Sequence, residues 1–219
     1  ILISIPPKKK IEIVSKLFEN NFKDSKFNWV TYLSATNVYG DRKGKWVNEK
    51  TKPIPKSDRG IARLNAEKKW MKFYKDFNLP IQIFRLSGIY SSENNIITRL
   101  KSKKIKLVIK KKHFFSRIHL EDIAQILIVS LKKFRPGEVY NISDNYPCSN
   151  VEIMKYASRI MNIENPKKIK VNEIKNRKLK DFYKDSKKVS NEKLKKYFKY
   201  NLKFPTYIEG LNFIKNNII

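Results

Sequence analysis

The stretch WVTYLSATNVYG at residues 29–40 decides the fold that the sequence indicates. Its first five residues are aromatic, β-branched or aliphatic, and Ser34 follows them, which predicts a buried strand. Polar residues punctuated by Gly40 and Gly44 continue to residue 56 and predict a loop. The sequence therefore predicts a strand over residues 29–34 that leads directly into a polar connection.

Patterns on either side of this strand extend the prediction to a parallel sheet. Residues 1–5 form a short apolar run that two prolines stop, and residues 81–86 form a third β-rich run. Apolar residues recur at helical spacing over residues 11–22 and 57–77. The order strand, helix, strand, helix, strand builds a parallel sheet with helices on its faces. We therefore predict the second half of a doubly wound, Rossmann-type α/β fold.

After residue 92 the regular alternation of strands and helices ends. Helices are predicted over residues 96–101, 120–131, 149–161, 191–198 and 206–216. Strands are predicted over residues 106–109, 114–119 and 138–142. Residues 165–188 are predicted to form a basic loop region. We therefore divide the chain into residues 1–92, a half dinucleotide-binding domain, and residues 93–219, a smaller α/β substrate-binding lobe. Residues 113–142 are expected to return from this lobe to the core.

Composition narrows the classes of function. The net charge is +29, which would suit nucleic-acid binding, but the excess is mostly Lys, is spread along the chain and accompanies many Asn and Ile. This mix favours compositional drift in an AT-rich genome over a nucleic-acid interface. No apolar run reaches the ~18 residues of a membrane span. The single cysteine, Cys148, excludes an internal disulfide and fits a cytoplasmic protein, and two His with one Cys predict no metal site.

Several blocks of sequence occur in an order that carries a family resemblance. They are YLSATNVYGD at residues 32–41, SDRGIARLNAE at 57–67, FRLSGIY at 84–90, FSRIHLEDIA at 115–124, VYNISD at 139–144, DFY at 181–183, VSN at 189–191 and PTYIEGL at 205–211. The series resembles the extended short-chain dehydrogenase/reductase superfamily, whose members are NAD-dependent epimerases and dehydratases. Within it the chain is similar to an atypical branch of sugar-nucleotide-epimerase-like proteins.

The resemblance implies a complete sheet in which residues 1–5 are the fourth strand. The first three strands and the Gly-rich phosphate loop are then expected upstream, because the 6 Gly of this chain include no G-x-G pair. An open apolar strand edge would promote aggregation of the chain expressed alone. The implied cofactor is NAD or NADP, and the choice between them depends on a residue after the second strand.

The same resemblance implies where the catalytic groups lie. Family members place a Ser or Thr, a Tyr and a Lys around the nicotinamide, and the matching positions here are Ala35, Arg59 and Arg63. Thr36 flanks the first position and is a candidate for its role. Arg does not give up its proton near neutral pH, so Arg59 cannot replace the Tyr as an acid or base. The catalytic candidates are therefore Thr36, Arg59 and Arg63, with the usual triad not intact.

Further candidates follow from the matched blocks at the carboxyl ends of the strands. Candidate cofactor contacts are Ser4, Pro6, Ser34, Ala35, Arg63, Leu86, Ser87, Gly88 and Ile89. Candidate substrate contacts are Tyr90, Arg117 and Tyr183. Tyr183 is also a candidate for the missing acid.

Three functions remain open at this point. The first is an NAD(P)-dependent epimerase, dehydratase or reductase of a nucleotide sugar or a similar small substrate. The second is a catalytically inactive NAD(P)-binding sensor or scaffold, and the third is a basic nucleic-acid-binding protein. A homodimer is a family expectation, in which Val14, Phe18, Leu64 and Trp70 either supply an apolar seam or pack on the chain's own sheet.

Overall fold

Four parallel strands form the central sheet, in the order β1-β2-β4-β8. They are β1 (Leu2–Ile3), β2 (Val30–Ala35), β4 (Ile81–Leu86) and β8 (Val139–Ile142). The computed structural model describes residues 1–8, 12–23, 26–103 and 105–218, without the side chains of 177, 178 and 218. The register aligns Ala35 with Leu86 and Leu86 with Ile142, so three neighbouring strands end at the same edge.

Helices cover both faces of this sheet. On one face lie α1 (Ile13–Leu17), α2 (Glu19–Lys23) and α3 (Asp58–Phe77), and on the other lie α5 (Leu120–Lys132) and α8 (Glu192–Phe198). Trp70 packs against Tyr32 on the first face, and Phe198 packs against Phe84 on the second. The parallel sheet between two helical layers confirms the predicted doubly wound α/β class.

A second hydrophobic cluster lies outside the central sheet. It is built from α4 (Ile96–Lys101), β6 (Leu107–Ile109), α6 (Asn150–Ile160) and α9 (Tyr207–Ile218), and β9 (Lys168–Lys170) pairs in parallel with β6. Four further short strands form two parallel pairs: β3 (Trp46–Val47) with β10 (Lys188–Val189), and β5 (Gly88–Tyr90) with β7 (Arg117–His119). A short helix, α7 (Arg177–Phe182), precedes β10.

Several predicted boundaries differ from the structure. The helix predicted over residues 11–22 is interrupted at Phe18, which leaves helical geometry and closes α1, and its first predicted residue lies outside the described residues. The strand predicted over residues 1–5 pairs through Leu2 and Ile3 only. The predicted basic loop at 165–188 was wrong in part, because Lys168–Lys170 alternates polar and apolar residues and forms β9 around buried Ile169.

The residues of the predicted dimer seam separate into two groups. Trp70 is fully buried in the core, Val14 packs against the cluster around it, and Leu64 packs against a separate buried cluster that includes Val38 and Val47. Phe18 is 51% exposed. Within the described residues, no helix has the length and apolar character that crossing a membrane requires.

Candidate functional site

A large cavity opens beside the carboxyl ends of β2 and β4. Its volume is about 1620 Å³. Its walls come from the turn after β2, the first turn of α3, the strands β5 and β7, and the segment that joins α7 to β10. Because segments far apart in sequence meet here at the carboxyl edge of a parallel sheet, this is the place where open α/β folds bind ligands.

The predicted site residues divide between the cavity wall and the layer behind it. The residues that line the cavity are Thr36, Arg59, Gly88, Ile89, Tyr90, Arg117 and Tyr183. The predicted residues that do not line it are Ser4, Pro6, Ser34, Ala35, Arg63, Leu86 and Ser87. The second group lies near the carboxyl ends of β1, β2 and β4.

A 3-10 turn over Thr36–Tyr39 carries Thr36 to the cavity. Gly40 closes this turn with φ of +67°, and a side chain there would collide with the Ile54 carbonyl, so the position requires glycine. At the start of α3, a Cβ on Gly60 would lie 2.7 Å from Pro55 Cβ and 2.9 Å from Asn37 O. The two glycines let the turn and the helix approach closely, and Thr36 of the turn and Arg59 of the helix both line the cavity.

A buried polar network supports the turn from behind. Arg85 donates from Nη2 to Glu67 Oε2 at 2.7 Å and from Nη1 to the Tyr39 hydroxyl at 3.0 Å. The Tyr39 hydroxyl donates to Asn141 Oδ1 at 2.8 Å, and Ser34 Oγ donates to Glu67 Oε1 at 2.6 Å. The network therefore joins β2, α3, β4 and β8, and it uses the proton of the Ser34 hydroxyl that was predicted to contact the cofactor.

The two arginines that occupy the Tyr and Lys positions behave differently. Arg59 is exposed in the first turn of α3 and lines the cavity. Arg63, one turn later, donates from Nη1 to Leu33 O at 2.6 Å and to the Tyr32 hydroxyl at 3.2 Å. Burial raises the pKa of Tyr32 to about 12 against the opposing charge of Arg63, so this phenol stays protonated. Arg63 thus holds the end of β2 and extends away from the cavity wall.

Tyr183 presents a fixed phenol to the cavity. Its hydroxyl accepts from Asn150 Nδ2 at 2.8 Å, and its ring stacks on His113 with centroids 5.1 Å apart. Burial raises the pKa of Tyr183 to about 12. The hydroxyl therefore keeps its proton near neutral pH and can donate it in a hydrogen bond, but it is a poor base.

Arg117 places a second cation in the cavity wall. It donates from Nη1 to Cys148 Sγ at 3.1 Å and to Phe115 O at 3.3 Å. Behind it, Asp144 is 1% exposed and donates its backbone N–H to Arg117 O at 2.6 Å. Burial raises the pKa of Asp144 to about 7, although the Arg117 charge acts in the opposite direction. Burial also raises the pKa of Cys148 to about 12, so its thiol is unreactive as a nucleophile.

Sequence reasoning missed one buried cation of the cavity wall, Lys187. Its Nζ donates to Gly40 O at 3.1 Å and lies 3.7 Å from Asp185 Oδ2, and the side chain is only 12% exposed. Burial lowers the pKa of Lys187. The available signal was the alternation of Asp185, Ser186 and Lys187: the first and third line the cavity, and Ser186 is buried between neighbouring segments.

Known proteins resemble this chain in sequence and in fold. No protein-family model matches it. It is 28% identical over 162 residues to dTDP-D-glucose 4,6-dehydratase of Dictyostelium discoideum. That match covers 65% of this chain and 36% of the dehydratase, so the chain spans little more than a third of that relative's length.

Two solved structures extend the comparison to nearly the whole chain. A conserved protein of unknown function from Silicibacter pomeroyi is 34% identical, with a TM-score of 0.93 over 99% of this chain and 77% of that one. UDP-glucuronic acid 4-epimerase from Bacillus cereus, solved in complex with NAD, has a TM-score of 0.74 at 22% identity over 94% of this chain and 67% of that one. At this sequence identity, the likeness to the epimerase shows a shared fold alone.

Proposed function

Because the chain belongs to the NAD-dependent epimerase/dehydratase family, we propose that it forms the nicotinamide end and the substrate pocket of an enzyme that epimerises, dehydrates or reduces a nucleotide sugar. The observation that carries the proposal is the cavity at the carboxyl edge of the sheet, with cationic and hydroxyl groups fixed in its wall. We assign residues 1–92 to the cofactor side and residues 93–219 mainly to the substrate lobe.

The size and charge of the cavity favour the binding of large anionic ligands. Pockets for single small molecules occupy roughly 300–1,000 Å³, and this cavity of about 1620 Å³ has room for part of a dinucleotide beside a nucleotide sugar. Eight of its lining side chains are Lys or Arg and five are Asp or Glu. The excess of cations favours a diphosphate, which guanidinium groups bind in paired hydrogen bonds.

The lining residues take distinct roles in the proposal. Arg59 and Arg117 bind phosphate oxygens, Thr36 binds the hydroxyl that reacts, and Tyr183 donates to a sugar oxygen. Candidate cofactor contacts are Ser4 and Pro6 on the adenine side and residues 86–89 beside the nicotinamide. The buried Ser87 hydroxyl has no hydrogen-bond partner within the described residues, which fits a contact with a polar group of NAD or NADP. The bound cofactor would supply reversible hydride transfer.

A catalytically inactive NAD(P)-binding sensor is the second candidate. It is favoured by Arg59 at the Tyr position and by Arg63, whose guanidinium is held by Leu33 O and the Tyr32 hydroxyl. A homodimer and a cytoplasmic location remain predictions for either candidate.

The test offers the purified protein NAD or NADP together with dTDP-glucose or UDP-glucuronic acid. We expect reduced nicotinamide by absorbance or an altered sugar by NMR, and we expect Arg117→Met to weaken UDP binding about tenfold, as loss of a charged hydrogen bond does. Lys180→Met, which removes an exposed lysine outside the cavity wall, is the matched control. Cofactor binding without a changed sugar or reduced nicotinamide would establish the sensor, and absence of all binding would exclude both candidates.

A further inference from the structure

The proposed reaction needs a group that takes and returns a proton. Oxidation of a sugar hydroxyl removes a hydride from carbon and a proton from oxygen, and Arg59 holds its own proton throughout the working pH range. We propose that Lys187 is this proton-transferring group. The inference rests on the proposed function and assigns its acid–base step to a residue outside the family's usual Ser, Tyr and Lys positions.

The Lys187 amine is held in place at the cavity wall. Nζ donates to Gly40 O at 3.1 Å, and Gly40 closes the turn that carries Thr36. The Lys187 backbone N–H donates to Phe114 O at 3.4 Å. Lys187 is thus tied on one side to the turn that follows β2 and on the other to the segment that enters β7.

The contact with Phe114 connects Lys187 to the segment that carries Ser116, and Ser116 lies beside Gly88. Gly88 N donates to Ser116 O at 3.0 Å, and Ser116 Oγ accepts from Val189 N at 2.9 Å. Residues 186–189 therefore cross the cavity wall between Gly40 and Gly88. The Lys187 amine therefore lies at the residue that closes the Thr36 turn, in a cavity wall that Thr36 and Gly88 also line.

Burial and the carboxylates around Lys187 shift its pKa in opposite directions. Burial lowers its pKa and the charge of Arg42 acts in the same direction, whereas Asp185 and Asp41 raise it, with a net shift downward. Burial raises the pKa of Tyr183 to about 12 and raises that of Tyr90 further, so both phenols keep their protons. Among these three groups of the described cavity wall, Lys187 alone has a pKa that is shifted in the direction of neutral pH.

The proposed step balances in atoms and electrons. The O–H bond of the substrate breaks and its proton passes to the neutral Lys187 amine. The oxidised cofactor of the proposed function would accept the hydride, with its bonding pair, as the adjacent C–H bond breaks, and the oxygen would form a carbonyl. The ammonium returns the proton to that oxygen when the hydride comes back, or releases it to water when the product leaves.

The decisive experiment compares Lys187→Arg and Lys187→Met with the wild type and with Lys180→Met. Arginine keeps the charge and the bond to Gly40 O but cannot exchange the proton, so we expect a rate loss of roughly 100-fold or more in both variants. UDP binding should change less than about threefold, and the acidic limb of the wild-type pH–rate profile for sugar oxidation, where Lys187 loses its proton, should disappear. Near-wild-type rates in Lys187→Arg would overturn the inference, because they would reduce Lys187 to a positioning charge.

Two further measurements keep the test independent of folding and of turnover. Thermal unfolding checks each variant, and if Lys187→Met does not fold, Lys187→Arg carries the comparison. Acetic anhydride labelling of the unliganded protein, followed by mass spectrometry across pH, should show Lys187 reaching full reactivity at lower pH than Lys180. Equal titration of the two amines overturns the inference. A wild type that binds UDP and NAD but forms no product instead overturns the proposed function, and with it the step assigned to Lys187.

Discussion

The cavity wall and the network behind it use similar side chains in opposite ways. Behind the wall, Glu67 and Arg85 are 3% and 5% exposed and bind each other in a paired arrangement. In the wall, Arg59 is exposed, and Tyr183 accepts a hydrogen bond while keeping a proton to donate. Buried charges with partners fix geometry, whereas groups with spare hydrogen-bonding capacity remain available to a ligand. Arg and Tyr side chains thus take part both in the buried network, called the support, and in the binding surface of the cavity wall.

The support acts on the binding surface through one side chain. The Tyr39 hydroxyl accepts from Arg85 and donates to Asn141 Oδ1, and Tyr39 ends the turn that begins at Thr36. Breaking the Glu67–Arg85 pair should therefore weaken ligand binding in the cavity and also lower the stability of the chain. Changes confined to the wall should leave stability almost unaltered.

The largest expected effect comes from Glu67→Ala. It leaves the buried Arg85 guanidinium without its carboxylate, a change that costs about 3–5 kcal/mol in the free energy of unfolding. Single domains are stable by only 5–15 kcal/mol in total, so urea unfolding should show a large shift of the midpoint. Glu93→Ala, which removes an exposed carboxylate, is the control. A loss below about 1 kcal/mol would mean that the pair does not hold the support together.

The sequence predicted the elements of this support but not their pairing. Periodicity predicted α3, and the β-rich runs predicted β2 and β4, each close to its observed bounds. Glu67 and Arg85 lie 18 residues apart on different elements, and they meet because the register sets Ser34 beside Arg85 beneath the helix. Local patterns contain no information about such a contact.

The cavity wall was predictable in the same partial way. The matched blocks included Thr36, Gly88 and Arg117, which follow or belong to strands and line the cavity. Lys187 was assigned to a basic loop, because its burial arises from Gly40 and Phe114, which are distant in sequence. A charge-rich stretch predicts solvent exposure unless the tertiary contacts are known.

The second-largest effect expected is a dependence of the free energy of unfolding on pH, which arises from Asp144. Its folded pKa is raised to about 7 from an ordinary 3.8, so the folded state holds the proton more tightly than the unfolded chain. The resulting stability is present in acid and is lost as pH rises through the folded value. Between pH 5 and pH 7 the free energy of unfolding should fall by about 2 kcal/mol from this group.

The variant Asp144→Asn isolates that contribution. An amide does not ionise, so the variant should lose this fall and should be more stable than the wild type near pH 8, measured by urea unfolding at each pH. Asp76→Asn, at an exposed position on α3, should keep the wild-type dependence. An equal pH dependence in Asp144→Asn and the wild type would show that the carboxyl behind Arg117 titrates normally.

The smallest effect is expected from Tyr183→Phe, which alters the binding surface and leaves the support intact. The variant removes one hydroxyl that accepts from Asn150 and is available to donate to a ligand, so UDP-glucuronic acid binding should weaken about five- to tenfold, near 1 kcal/mol. Tyr146→Phe, a half-exposed tyrosine outside the wall, should leave the Kd unchanged. Because the raised pKa keeps Tyr183 protonated, the pH–rate profile should keep its shape. A profile that lost a limb in Tyr183→Phe would instead make this phenol the proton-transferring group and remove that role from Lys187.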